Sequence, residues 1–299
     1  MTATTNRLVP RWSSVMPGIF VLLWSTGFIG AKYGLPYAEP LTFLFYRFAI
    51  VLGILLVVAV LMRAPWPQTA GATLHCLVSG VLLHGIYLGG VFGAIEFGMP
   101  AGIAALIVGL QPLLTALLSR PLLGEQISKY QWAGIFLGLV GVSLVLAPRI
   151  LTSGGQALTL LNGSLGIAAL LGMTLGTIYQ KAFVTGQDLR TSGILQFTGG
   201  AVVVGVGAFF LETMQVTWTP QFIGAMAWLV IVLSLGAMTL LMLIIRHGEV
   251  SHVATLFYLV PPVTALIALF MFNEHLDMIQ LSGMALTAYA VWLGSRRKR

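Results

Sequence analysis

In a chain of 299 residues that is 58% hydrophobic and 8% charged, there is too little polar surface to cover a soluble fold, because soluble domains carry about 25% charged residues. A lipid bilayer must supply the cover, and the 35 glycines and 13 prolines suit a solvent in which helices tolerate both. The net charge of +7 comes without the aromatic-interleaved basic patch that nucleic-acid binding requires, so no nucleic-acid partner is expected.

A bilayer-spanning helix needs about 20 mostly apolar residues. Such runs fall at 16–33, 40–62, 70–93, 99–119, 130–148, 163–183, 190–211, 221–245, 249–272 and 278–295, which predicts ten spans. The first follows Arg7 and Arg11 as a signal peptide would, but it is long for one and contains Trp24, so it is read as an uncleaved span. The connections are short and rich in breakers, as in APWPQTAG at 64–71. No period-two alternation is long enough for an outer-membrane barrel, and the expected fold class is an all-α integral membrane protein.

The polar groups inside these runs are few. Span 1 carries Trp24 and Ser25 ahead of Gly27, a residue that permits close helix approach or flexing. Arg47 lies within span 2, where a charge costs about 2.5–3.5 kcal/mol on insertion; it either snorkels to the interface or meets an anionic group. Span 3 holds Cys76, which can make no internal disulfide, and His84 with Gly80 and Tyr87 on the same helical face. Gln111 and Pro112 fall in span 4, Gly176 and Tyr179 in span 6, Gln196 in span 7, and Tyr258, Pro261 and Pro262 in span 9. A mid-helix proline costs roughly 3 kcal/mol in water, and in a membrane its freed carbonyl is tolerated only against protein or a water-filled cavity. The prolines therefore mark spans 4 and 9 as cavity-lining or as kinked for packing, with Gly27 and Gly176 as candidate hinges. Taken singly, each polar side chain is first a helix–helix contact; together they are the candidate lining of a substrate cavity.

All acidic residues fall at or near span ends. A proton-driven exporter of lipophilic cations usually relies on a mid-membrane carboxylate, so neutral, zwitterionic or aromatic cargo is favoured, with Trp24, Tyr87, Tyr179 and Tyr258 available for stacking or cation–π contact. Catalytic patterns are missing: there is no GxSxG, HExxH, CxxC or P-loop, and His247 and His252 sit about 140° apart around a helix. No catalytic residue, metal or cofactor is expected.

Orientation follows from Lys and Arg. With the N-terminus inside, twelve of them (Arg7, Arg11, Arg63, Arg120, Lys129, Lys181, Arg190, Arg246 and residues 296–299) face the cytoplasm, against Lys32 and Arg149 opposite. Both termini are then cytoplasmic. The chain also repeats itself. At an offset of 150, Gly98, Ala104 and Pro112 meet Gly248, Ala254 and Pro262; at 149, Glu125, Gln131 and Gly134 meet Glu274, Gln280 and Gly283, while Gly27 and Lys32 meet Gly176 and Lys181. Two halves, 1–149 and 150–299, thus hold five spans each, and an odd number forces the second to enter the membrane inverted. Inverted halves of this kind can exchange inward-open and outward-open states, which argues for transport by alternating access. One chain is sufficient for a pathway; a dimer stays open.

The stretches WSTGFIGAK (24–32), YRF (46–48), EFGMPAGIAALIVGLQP (96–112), LLGEQISKYQWAGIFLGLVGV (122–142), HVATLFYLVPPVTALIALFMFNE (252–274) and QLSG (280–283) resemble the ten-helix EamA-type branch of the drug/metabolite transporter superfamily along essentially the whole chain. Asn273-Glu274-His275 departs from the family's more familiar Gly-Glu-Arg. The resemblance implies a multi-pass carrier of the cytoplasmic (inner) membrane with a central cavity formed by both halves and spans 5 and 10 peripheral. Within the family the chain looks like an exporter of amino acids, aromatic ones foremost. Another neutral or anionic metabolite (a sugar, nucleoside or purine) is the alternative cargo, and a membrane enzyme or sensor that moves nothing is the alternative class.

Overall fold

The computed structural model describes residues 15–99, 104, 107–152, 159–248, 250–272 and 277–294. Arg7, Arg11, Leu106, Glu249, Asn273, Glu274, His275 and the basic tail lie outside the described residues. Among those described the chain is helical, apart from one isolated antiparallel bridge between Ala38 and Val216. The helices are α1 (Met16–Gly34), α2 (Pro40–Leu61), α3 (Ala70–Glu96), α4 (Gln111–Leu123), α5 (Lys129–Thr152), α6 (Leu160–Val184), α7 (Leu189–Leu211), α8 (Pro220–His247), α9 (Val250–Leu256 and Val260–Phe272, joined by a 3₁₀ turn at Phe257–Leu259) and α10 (Met278–Gly294). Among the described residues seven stretches are long and apolar enough to cross a membrane, namely α2, α3, Lys129–Pro148 of α5, α6, α7, α8 and Val250–Ile267 of α9; Met16–Gly27 and α10 are shorter apolar helices.

Local chemistry explains where the helices begin and end. Ser128 and Gln131 form a reciprocal capping box at the start of α5 (Ser128 N to Gln131 Oε1 2.7 Å, Gln131 N to Ser128 Oγ 3.2 Å), and Asp277 with Gln280 does the same for α10. The paired glutamines at 131 and 280 are therefore helix starts. A third box, Thr159 with Asn162, opens α6, and Asn162 Nδ2 also donates to the Phe97 carbonyl at the end of α3 (3.2 Å). Lys181 Nζ donates to the Ile245 and Arg246 carbonyls at 2.9 and 3.1 Å, satisfying the C-terminus of α8. Gly124, at φ 70°, ends α4.

Pro112, Pro261 and Pro262 do not sit mid-helix. α4 begins at Gln111, so Pro112 lies in its first turn, and Pro261 and Pro262 lie in the first turn after the 3₁₀ break of α9. There the missing N–H has no intrahelical acceptor to lose. The break in α9 packs on α1: Thr264 Oγ1 donates to the Ser25 carbonyl at 3.3 Å, and Ser25 Oγ lies 2.7 Å from the Val21 carbonyl and 3.3 Å from the Val260 carbonyl.

Helices α5 and α10 form a tight pair with little contact to the rest. A Cβ on Gly141 would lie 2.3 Å from Thr287 Oγ1 and 2.9 Å from the Gly283 carbonyl, and one on Gly134 would lie 2.6 Å from the Ala290 carbonyl. Close backbone approach through small residues is how membrane helices gain contact where lipid offers no hydrophobic driving force. Gly141→Leu is expected to destabilise the fold by about 1–3 kcal/mol, the cost of overpacking, and so to lower the unfolding midpoint in detergent. Gly163→Ala, with nothing within 4 Å of the new Cβ, serves as the control that does not lower it.

Candidate functional site

At the centre of the molecule α3 and α8 both widen into π-turns, over Val81–Ile86 and Leu229–Ala237. Such insertions re-aim side chains and recur at functional sites. Here they present Leu83 and His84 from α3, and Leu229, Leu233 and Ser234 from α8, to a cavity of about 90 Å³. Trp24 and Gly27 of α1, Arg47 of α2, Tyr87 and Phe92 of α3 and Phe197 of α7 complete the wall. A smaller cavity of about 30 Å³ shares His84, Phe197, Ser234 and Met238 with the first and adds Leu55, Leu189, Gly193, Gln196 and Met242.

The cavities share one layer of side chains. His84 stacks on Phe197 with centroids 4.3 Å apart and planes at 17°, and Phe48 sits 5.6 Å from each ring. Following the helices outward, the smaller cavity lies toward the end that carries Arg63, Arg120, Lys129, Lys181, Arg190 and Arg246, the basic end, since Leu189 and Gly193 open α7 there. The larger cavity extends toward the far end through Val91 and Phe92.

Arg47 is 7% exposed, and its Nε donates to Ser234 Oγ at 2.9 Å. Among the described residues no carboxylate pairs with it, and neither cavity is lined by Asp or Glu. His84 Nε2 is buried without a hydrogen-bond partner among the described residues. The larger wall is thus a cation, an imidazole, a hydroxyl and a phenol set in aromatic and aliphatic surface.

Each end is tied by carboxylates that accept from backbone N–H groups. At the far end Glu212 accepts from Leu41 N (2.8 Å), Thr42 N (2.6 Å) and Thr42 Oγ1 (2.7 Å), and Glu39 accepts from Thr213 N (2.7 Å) and Thr213 Oγ1 (2.6 Å), so α2 and α7 hold each other reciprocally. At the basic end Glu125 accepts from Val250 N (2.8 Å), Ser251 N (3.2 Å) and Ser251 Oγ (2.9 Å), tying the loop after α4 to the start of α9. There too, Arg190 bonds the Asp188 N-cap of α7 at 2.8 Å, which holds the Asp188 carboxyl below the usual carboxylate range.

Of the nine side chains expected to line a cavity, Trp24, Arg47, His84 and Tyr87 meet in the larger one, and His84 and Gln196 in the smaller. Ser25 is enclosed in the α1–α9 contact. Gln111 donates to Thr115 within α4 (3.1 Å). Tyr179 shares a 2.7 Å hydrogen bond with His75 beside Phe183, and Tyr258 packs among Val142 and Leu146 of α5, with its ring in the groove left by Gly138. Gly27 and Gly176 occupy equivalent contacts, a Cβ there meeting Leu233 Cδ2 of α8 at 2.3 Å and Leu83 Cδ2 of α3 at 2.7 Å. Ser234 and Phe197 were not among the expected set. Ser234 is the sole polar residue of LVIVLSLGAM (229–238), and Phe197 stands 149 residues after Phe48, the offset that also separates Gly27 from Gly176 and Gln131 from Gln280.

Residues 16–147 match the EamA-like transporter family. The chain is 26% identical over 289 residues to the uncharacterized transporter YvbV of Bacillus subtilis, covering 96% of this chain and 92% of that protein. It is 24% identical over 294 residues to a probable amino-acid metabolite efflux pump of Escherichia coli K12, covering 95% and 94%, and 26% identical over 297 residues to the uncharacterized inner membrane transporter YedA of the same strain, covering 96% and 91%. A solved crystal structure at 18% identity superposes with a TM-score of 0.78 over 95% of this chain and 96% of that one, a likeness of fold. Residues 16–147 are thus similar to the EamA-like transporter family, and along nearly its whole length the chain is similar to proteins named as membrane transporters.

Proposed function

We propose that the protein is a secondary transporter that exports small metabolites by alternating access, with amino acids that carry aromatic side chains as leading cargo. The observation that carries this reading is the pair of cavities that share the His84–Phe197 stack and extend toward opposite ends, because one pair of corresponding positions falls one in each wall. Arg47-Phe48 and Gln196-Phe197 are 149 residues apart, and so are Glu39 and Asp188, and Thr42 and Thr191. Arg47 lines the larger cavity and Gln196 the smaller. Two half-sites that correspond in sequence and face opposite ends are what exchange between inward-open and outward-open states requires.

In this reading ten spans form two inverted halves, 1–149 and 150–299, with both termini on the cytoplasmic side of the inner membrane and one chain making the pathway. The relative named as a probable amino-acid metabolite efflux pump supports the cargo class. Trp24, Tyr87, Phe92 and Phe197 supply the aromatic surface.

The test is counterflow in proteoliposomes loaded with unlabelled phenylalanine or tryptophan, following entry of labelled tryptophan, labelled threonine and a control sugar. Labelled amino acid should accumulate, tryptophan ahead of threonine, and Trp24→Ala should cut the rate by about tenfold or more if stacking on the indole contributes 1.4 kcal/mol or more. Accumulation of the sugar alone would reassign the cargo, and no accumulation of any solute by folded protein would end the carrier reading.

A further inference from the structure

The charge balance of the larger cavity goes further than the carrier reading, on which it rests. A buried cation needs a counter-charge or a full set of acceptors. Arg47 has one acceptor, Ser234 Oγ, among the described residues, and no acidic residue lines the cavity. The fold does not demand a cation at this register, since the corresponding position of the second half is the neutral Gln196. The remaining polar groups are donors or can become so. Ser234, having accepted from Arg47, keeps its own O–H to give; Tyr87 places a phenol in the same wall; and His84 Nε2 is buried there without a partner among the described residues. Donors and one cation, with no acid, fit an anionic oxygen group. A guanidinium fork matches a carboxylate bidentately, and Trp24, Leu83, Phe92 and Phe197 offer apolar surface for the body behind it.

We propose that Arg47 anchors a single carboxylate of the cargo, and that the cavity is matched to a net monoanion, an aryl or alkyl carboxylate whose amino group is masked or missing. A zwitterionic amino acid binds by the same carboxylate but finds no acid for its ammonium, only ring faces. Smaller and less charged at the corresponding position, the Gln196 side of the pathway holds the anion less tightly.

The experiment uses the full chain and four probes of like size: 3-phenylpropionate (monoanion), phenylalanine (zwitterion), phenylalanine amide (cation) and phenyl phosphate (dianion). Two readouts run in parallel, ligand-induced rise of the unfolding midpoint in detergent and competition in counterflow. The monoanion should act at the lowest concentration, phenylalanine next, and the amide not at all. Arg47→Gln, eluting as folded protein, should weaken the monoanion by about tenfold or more, the range expected for losing a charge-assisted hydrogen-bonded pair, and should bring acid and amide level. Should Arg47→Gln fail to fold, Arg47→Lys and Ser234→Ala decide the matter: each keeps the charge, loosens the fork and should weaken the acid by a smaller factor. An amide as effective as the acid, an acid unaffected by these substitutions, or a phosphate ester that outcompetes the carboxylate would overturn the proposal. The two readings fail separately. Transport of acid and amide alike removes the anchor and leaves the carrier, whereas Arg47-dependent stabilisation by the acid without flux removes the carrier and leaves the anchor.

Discussion

Replacing Gly80 by alanine is expected to abolish transport and to lower the unfolding midpoint sharply, although it adds one carbon. The new Cβ would lie 1.9 Å from the Gln196 carbonyl oxygen and 2.4 Å from its Cα, both backbone atoms that no rotamer change can move aside. The neighbouring contacts along the same seam are as close. A Cβ on Gly199 would lie 2.3 Å from the Leu77 carbonyl, and one on Gly200 would lie 2.4 Å from His84 Cβ. The clash must therefore be relieved by moving α3 away from α7 as a whole. Overpacking that side chains can absorb costs about 1–3 kcal/mol, and a backbone clash falls at or above the upper figure. The functional cost follows from where the seam lies. His84 rides on α3 and Phe197 on α7, and their ring stack at 4.3 Å lines both cavities. Separating the helices unstacks that layer even in molecules that still fold. Gly53→Ala is the matched control, because nothing lies within 4 Å of its Cβ, and filling an open helical glycine is neutral or stabilising by up to about 1 kcal/mol. Equal midpoints and equal counterflow for the two variants would show that the seam is softer than its distances imply.

That seam could not have been read from the apolar pattern. In water, one face of a helix is apolar and announces the core; in a bilayer, lipid and protein interior are alike apolar, so Gly80 and Gly53 look the same in sequence. Seven of the ten expected spans are helices long and apolar enough to cross a membrane, because length and apolarity suffice to announce them, and the helix starts at Lys129 and Met278 were legible in the paired glutamines, though as a repeat rather than as capping boxes. Polar residues inside spans did point to Trp24, Arg47, His84 and Tyr87. They also pointed to Tyr258, whose ring instead fills the Gly138 groove, and to Ser25, whose hydroxyl serves a helix break. Distinguishing these needs the rotation of each helix, which hydropathy does not carry. The prolines misled in a specific way: an apolar run across residues 249–272 hides a 3₁₀ break, and only the break turns a costly mid-helix proline into an unstrained first-turn one. Arg47 and Gln196, 149 residues apart, are not legible as a pair from identity because they differ in charge, and that difference is what carries the anchoring proposal.

Glu212→Ala and Glu125→Ala should bias the molecule in opposite directions. Glu212 ties the start of α2 to the end of α7 at the far end, and Glu125 ties the start of α9 to the loop after α4 at the basic end. Each carboxylate satisfies two backbone N–H groups at a helix N-terminus, where the helix dipole favours negative charge. Hydrogen bonds to a charged group contribute about 1.5–3 kcal/mol when buried, and partial exposure of both carboxylates brings each tie to about half that or less. A bias near 1.4 kcal/mol is a tenfold change in the ratio of two states. The readout is labelling by a membrane-impermeant thiol reagent in a Cys76→Ser background, with a single cysteine at Val91 in the larger cavity or at Gly193 in the smaller. Glu212→Ala should raise labelling at Val91→Cys and lower it at Gly193→Cys, Glu125→Ala should do the reverse, and the double variant should return both toward the parent. Labelling that rises at both sites in either single variant would mean that the carboxylates merely hold the fold together, and that opening at one end is not coupled to closure at the other.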